Sequence, residues 1–300
     1  MQQHLLENIS QTQKERLFHI DFRLFFLGSV NRHDLVTRFG IKEAAATRDI
    51  ALYKEIAPNN LEYDTKAKTY KQCDGFMPVF RYHSNQALAA LLYGFGDDFV
   101  VQSQPFEAAE APTQLFLPAC DILAFVTRAI YCQYAISINY RSLSSGKTQR
   151  EIVPHSLIDN GFRWHVRAFD RLKQQFSDFV INRIEQPRLI ENRAISDTEL
   201  KAADQQWNQF VELELVPHPS LLFPDTIAHE YGFVNGELKH TVRAAVAGYI
   251  LRRWNVDCSE NHTLTGPEYH LWLKNHQSLI EIENMLLAPG YSLNNKEVRF

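Results

Sequence analysis

From Gln13 to Leu27 apolar residues recur at intervals of three and four, and Leu17, Ile20, Leu24 and Leu27 mark one face of a helix. Gly28 ends it, and Asn31 has the side chain of an N-cap for a second helix carrying Leu35 and Phe39 one turn apart. Gly40 supplies the positive φ of a tight turn, with Ile41 plugging the core below it. A third helix is predicted over Lys42 to Ile56, before Pro58. At roughly 100° per residue, Ala46, Ile50 and Tyr53 share its inner face. Ala44, Arg48, Ala51 and Glu55 fall on the outer arc, flanked by Ala45 and Thr47. The pattern then turns to alternation: Leu61 and Tyr63 begin one strand, a turn carries Lys66 and Lys68, and Thr69–Gln72 form the returning strand.

An outer helix face of small side chains with one Arg and one Thr suits a helix seated in a DNA major groove. Arg reads guanine there, and Ala or Thr touches a thymine methyl. A two-stranded wing with lysines at its tip meets backbone phosphate. The candidate DNA contacts are Lys42, Ala44, Ala45, Thr47, Arg48, Lys66 and Lys68. The same order also reads as a three-helix bundle with a hairpin used for protein contact.

The next stretch is mainly apolar, with helical runs near Ser84–Tyr93 and Asp121–Tyr134 broken by Pro105, Pro112 and Pro118. Gly94-Phe95-Gly96 lacks the third Gly and the Lys-Ser/Thr pair of a phosphate loop and reads as a turn. From Ala135 the pattern changes to short strands: residues 135–140, 150–158, 162–170 and 178–184, with Asp159-Asn160-Gly161 a hairpin signal. Strands this short, joined by tight turns, predict a small barrel.

These strands carry Ile138-Asn139-Tyr140, Arg150-Glu151-Ile152-Val153-Pro154, Trp164-His165-Val166 with Asp170, and Asn182-Arg183-Ile184. In order and spacing they resemble the WYL-domain regulators, whose domain is a small SH3/Sm-like β-barrel that senses a ligand. The signature tripeptide departs: His165 stands for Tyr and Val166 for Leu.

Charge refines this reading. The chain as a whole has a formal net charge of -4. Residues 137–193 hold ten Lys+Arg against six Asp+Glu, a net of +4. Arg141, Arg150, Arg163, Arg167 and Arg183 are forks suited to phosphate or carboxylate. Alternation from Trp164 puts Trp164, Val166 and Ala168 on one face and His165, Arg167 and Phe169 on the other, a ring beside a cation. The candidate ligand residues are Tyr140, Ser142, Arg150, His155, Trp164, His165, Arg167 and Arg183, and the ligand class is a nucleotide or oligonucleotide. The competing reading pairs several arginines with Asp170, Asp178 and Glu185 as salt bridges.

In the last third, residues 211–216 alternate as a strand, Thr241–Trp254 reads as a helix, and residues 278–287 as a closing helix or strand. His229-Glu230 lacks the second metal-binding His, since residue 233 is Phe. There is no G-x-S-x-G elbow and no Walker pattern, and Cys73, Cys120, Cys132 and Cys258 form no CxxC pair. Neither an enzyme, nor a metal site, nor a cofactor is expected. Without a signal-peptide pattern or an apolar run of membrane length, the chain is expected to be cytoplasmic.

The whole layout most resembles the BrxR/CapW-type regulators beside bacterial anti-phage defence genes. The expected class is multidomain α+β: a winged helix-turn-helix (1–76), a helical linker (77–134), the WYL barrel (135–193) and a C-terminal extension for dimerisation (194–300). The resemblance implies a homodimeric repressor on an inverted repeat of double-stranded DNA, released when an anionic ligand fills the barrel. The alternatives are an activator of DNA-damage or defence genes and a nucleic-acid-binding accessory subunit.

Overall fold

The computed structural model describes residues 9–93, 116–190 and 194–292. The turn at Gly94-Phe95-Gly96 and the breaks at Pro105 and Pro112 lie outside these residues.

The N-terminal module begins with α1 (Gln11–Leu27), capped by Ser10 and closed by Gly28 at φ 78°. β1 (Ser29–Val30) leads into α2 (Arg32–Phe39), which Asn31 and Asp34 cap reciprocally. Gly40, at φ 63°, turns the chain into α3 (Glu43–Ile56). The wing is β2 (Leu61–Asp64) and β3 (Thr69–Gln72), with β1 added to its other edge. The core under α3 holds Leu17, Ile20, Leu24, Leu35, Ala46, Ile50, Tyr53 and Leu61.

α1 is apolar on two faces. Phe18, Phe22 and Phe26 point away from that core and join a second one, with Leu88 of α4 (Ser84–Tyr93) and Leu123 and Val126 of α5 (Cys120–Cys132). The second core continues into the sheet through Ile136, Ile138, Ile152, Trp164 and Val166. One helix thus belongs at once to the winged module and to the linker-and-sheet body. Burying such a stripe is worth about 2 kcal/mol per large side chain, so the two bodies are joined by packing as well as by chain.

The sheet is antiparallel: β4 (Ile136–Ser142), β5 (Gly146–Asp159), β6 (Trp164–Asp170), β7 (Gln175–Val180) and β8 (Ile184–Leu189), in the order β7-β6-β5-β4-β8. The fourth strand starts earlier than expected. A single 3-10 turn, Ile181–Arg183, occupies the end assigned to it and carries the chain to β8 at the opposite edge. β7 and β8 do not pair with each other, so among the described residues the ladder is an open sheet rather than a closed barrel. A register shift between Pro154 and Ser156 bends β5 at the position where proline removes a ladder donor.

The C-terminal region has its own core and a four-stranded sheet, β10-β9-β12-β11, formed by β9 (Phe210–Pro217), β10 (Leu238–Arg243), β11 (Val256–Asp257) and β12 (Leu271–Leu273). The helix expected over Thr241–Trp254 begins instead at Ala247 and ends at Arg253, because Thr241 and Val242 pair with Glu212 and Val211 as strand. The expected closing element at 278–287 consists of 3-10 turns, His276–Leu279 and Glu283–Leu287. Gly248 lets this segment approach, since a Cβ there would fall 1.9 Å from the carbonyl oxygen of Asn284. No helix among the described residues is long and apolar enough to cross a membrane.

Candidate nucleic-acid interface and ligand-sensing sheet

α3 turns Ala46, Ile50 and Tyr53 inward. Lys42, Ala44, Thr47, Arg48, Ala51 and Glu55 are exposed on the other side, and Ala45 is half-buried. Thr47 donates its hydroxyl to the Glu43 carbonyl at 2.9 Å. Arg48 makes no ion pair among the described residues. At the wing, the Asp64 carboxylate accepts from the backbone N–H groups of Lys66 and Ala67 at 2.8 and 3.0 Å and pairs with Lys71 at 2.6 Å. The Lys71 ammonium and these N–H groups hold its carboxyl at about 2. The turn so formed leaves Lys66 and Lys68 exposed at the tip.

Two buried carboxylates fix how α3 is presented. Asp49 accepts from Arg16 of α1 at 2.6 Å. Asp21, wholly buried on α1, accepts from the hydroxyls of Tyr53 and Tyr82 and from the backbone N–H groups of Val79 and Phe80. Burial raises its pKa against these four donors. Asn60 completes the node: its amide donates to the Tyr53 hydroxyl at 3.0 Å and to the Met77 carbonyl at 2.7 Å. α3, α1 and the linker therefore meet on one carboxylate.

In the sheet, every residue of β6 is buried. Trp164 lies in the main core, and Tyr140 packs edge-on against Phe179 while its hydroxyl accepts from the Val180 N–H at 3.2 Å. Ser142 shapes its own turn by accepting from Ser144 and Ser145 N–H groups. Arg150 donates to Asp170 at 2.9 Å, Arg167 to Asp178 at 3.0 Å, and Arg141 pairs with Glu185. Those are the three carboxylates that the competing sequence reading named.

Two groupings emerge. Arg167 also grips Asp204 with two bonds, 2.6 and 3.0 Å, and His155 reaches the same carboxylate at 3.1 Å. Burial acts against the Asp204 charge, but His155 and Arg167 overcome it and hold the carboxyl at about 2. Asp178 also accepts from the Tyr249 hydroxyl at 3.0 Å, which fastens the sheet to the C-terminal region. The second grouping surrounds His165, whose ring stacks on Tyr249 with centroids 5.2 Å apart. Its Nδ1 is buried with no hydrogen-bond partner among the described residues. Burial first, then the nearby Arg163 and Arg183, lowers its pKa to about 4. Neither arginine has a carboxylate partner among the described residues.

Asp21, Tyr82, Asp204 and the bidentate Arg171–Glu199 pair (2.6 and 2.9 Å) were missed in the sequence. Asp21 left a signal, a single acid within the apolar run from Leu17 to Leu27. Asp204 left none beyond being an N-cap type of residue.

Three family models match the chain. The BrxR transcriptional regulator winged helix-turn-helix domain covers residues 12–92, the WYL domain 121–189, and the BrxR transcriptional regulator C-terminal dimerization domain 210–279. Among curated proteins, the DNA-binding transcriptional repressor CapW of Escherichia coli (strain KTE188) is 32% identical over 89% of this chain and 90% of its own length. Those of Stenotrophomonas maltophilia and Pseudomonas aeruginosa are 32% and 31% identical, over 82% and 90% of this chain and 84% and 91% of theirs.

Proposed function

Since the chain belongs to the BrxR/CapW family of transcriptional regulators, we propose that it is a homodimeric repressor that places α3 in the major groove of each half of an inverted repeat. The observation that carries this reading is the outer face of α3, small and exposed around an unpaired Arg48, beside a wing tipped by Lys66 and Lys68. Arg48 reads a guanine, Ala44, Ala45 and Thr47 fit against thymine methyls, and Lys42 and the wing lysines hold phosphate. Two copies joined through the C-terminal region repeat this arrangement with two-fold symmetry, which an inverted repeat mirrors. It acts in the cytoplasm, on the promoter of an anti-phage defence operon.

The bent, Sm-like sheet is the sensor. Arg163 and Arg183, free of carboxylates, and the orphaned nitrogen of His165 form the end of the sheet best suited to an anionic nucleotide or oligonucleotide. Arg150, Arg167 and His155 already hold carboxylates, so they respond to ligand by exchanging partners. α1 transmits the change, because its Phe18, Phe22 and Phe26 lie in the core that ends under Trp164 and Val166. The ligand releases DNA to the extent that it prefers the non-binding arrangement.

Footprinting on the DNA upstream of its own operon tests the reading. Protection of two symmetric half-sites about one helical turn apart or a multiple of it is expected; unprotected DNA at protein concentrations that coat non-specific fragments contradicts it.

A further inference from the structure

A cavity lies where the winged module, α5 and the sheet meet. It encloses about 570 Å³ and is lined from the winged module by Phe25, Gly28, Lys71 and Cys73, from α5 by Phe125, Arg128 and Cys132, and from the sheet by Ile136 and Leu189. That size suits a small organic ligand.

Its chemistry is specific. Arg128 is half-buried, and its Nη1 donates to the Phe25 carbonyl while its guanidinium leans on the Phe125 ring, 5.6 Å from the centroid. No carboxylate pairs with it among the described residues. Burial pulls its pKa down. A charge in this position is ordinarily paired. Lys71, whose ammonium pairs with Asp64 at 2.6 Å, adds a second cation from the wing, and among the described residues Asp74 is the one acid lining the cavity. Phe25 and Phe76, stacked at 13° with centroids 5.7 Å apart, and Tyr134 provide flat apolar surface. Cation and ring together fit a phosphate carried on a planar base.

We propose that this junction is a second effector site, which takes a mononucleotide-sized aromatic phosphate with the phosphate on Arg128 and Lys71. Its occupant touches the residues that set the angle of the winged module. Gly28, at φ 78°, is the turn between α1 and β1, and a Cβ there would already sit 3.5 Å from Cys132 Sγ and from the Arg128 side chain. A molecule wedged between β3 and α5 therefore tilts the DNA-reading helices against the sheet. The site does not depend on the sheet's own arginines.

The full-length protein carries its own reporters. Cys73 and Cys132 line the cavity, whereas Cys120 lies against Ser84 and the Tyr82 carbonyl elsewhere. With AMP, GMP, CMP and UMP as probes, at least one is expected to slow alkylation of Cys73 and Cys132, read by mass spectrometry, and to leave Cys120 unchanged. Arg128→Gln is expected to weaken binding of that nucleotide about tenfold or more, the worth of one charge-assisted hydrogen bond, with Arg128→Lys recovering part of it. Arg183→Gln, which alters the site proposed on the sheet, is expected to leave that nucleotide's protection of Cys73 and Cys132 unchanged. If Arg128→Gln does not fold, Lys71→Gln and the alkylation of the wild-type thiols carry the test. No protection by any of the four nucleotides at millimolar concentration overturns the proposal. So does binding that survives Arg128→Gln and disappears in Arg183→Gln, which puts the nucleotide on the sheet.

Discussion

The hydroxyl of Tyr82, in the linker, donates to the carboxylate of Asp21 on the first helix at 2.6 Å, and that carboxylate also accepts a hydrogen bond from the Tyr53 hydroxyl of α3. The carboxylate is fully buried, so each donor it loses is not replaced by water. Tyr82→Phe should cost about 1.5–3 kcal/mol, the worth of a hydrogen bond to a charged group. Asp21→Ala, which strands two hydroxyls and two backbone N–H groups, should cost about 3 kcal/mol or more. Urea unfolding checks both, and a Tyr82→Phe protein as stable as the wild type would remove the node from the account.

A second buried carboxylate gives a pH dependence. Asp204, fastened by Arg167 and His155, is held at about 2, below the ordinary 3.8. The folded pKa is depressed, so its contribution is complete above pH 4 and is lost as pH falls through 2. The difference corresponds to about 2 kcal/mol. The thermal midpoint should drop across this window in the wild type and show a shallower drop in Asp204→Asn. Equal acid limbs in the two proteins would contradict the pairing.

His165 behaves in the opposite chemical sense. Its pKa, lowered from 6.5 to about 4 chiefly by burial, keeps the ring neutral in the folded protein at physiological pH. The unfolded chain binds the proton first, so this residue's contribution is full above pH 6.5 and is lost as pH falls towards 4. Histidine ring NMR resonances followed with pH should show His165 unprotonated at pH 5. A midpoint near 6.5 would mean that the ring is open to water.

Much of the winged module was legible because a single periodicity governs it. Leu17, Ile20 and Leu24 repeat at helical spacing, and Gly28, Asn31 and Gly40 punctuate the chain where it turns. The second face of α1 was not legible. Phe18, Phe22 and Phe26 form an equally regular stripe, but a helix apolar on two sides does not reveal that its sides serve different cores. In the sheet, alternation found β4, β5 and β6, yet it misplaced the end of β7 and hid β8, since a 3-10 turn at Ile181–Arg183 has no period of its own. The arginines were legible as a cluster, and three of their carboxylate partners as the competing reading. Asp204, which lies 37 positions from Arg167 in the chain, was not, because nothing local marks a pairing made across a fold. Val242 fitted a helical stripe starting from Thr241, and the β-branched side chains of both went to the edge strand β10.

The wing lysines should act through phosphate alone. Lys66→Ala and Lys68→Ala are expected to weaken binding to all duplexes alike. Each should lower the slope of log K against log salt by about 1 for every phosphate that the side chain no longer neutralises. Fluorescence anisotropy at several salt concentrations measures this. An unchanged slope would take the wing off the DNA.

The most direct test of the central claim is the affinity of Arg48→Ala for the footprinted operator and for a scrambled duplex of the same length, with folding verified by circular dichroism. Arg48 is exposed and unpaired, so its removal leaves the fold intact. The expected result is about a tenfold or greater loss on the operator, the worth of a base-reading arginine, with little change on the scrambled duplex. Equal operator affinity in Arg48→Ala and the wild type would contradict the account, because α3 would then not be the helix that reads the sequence.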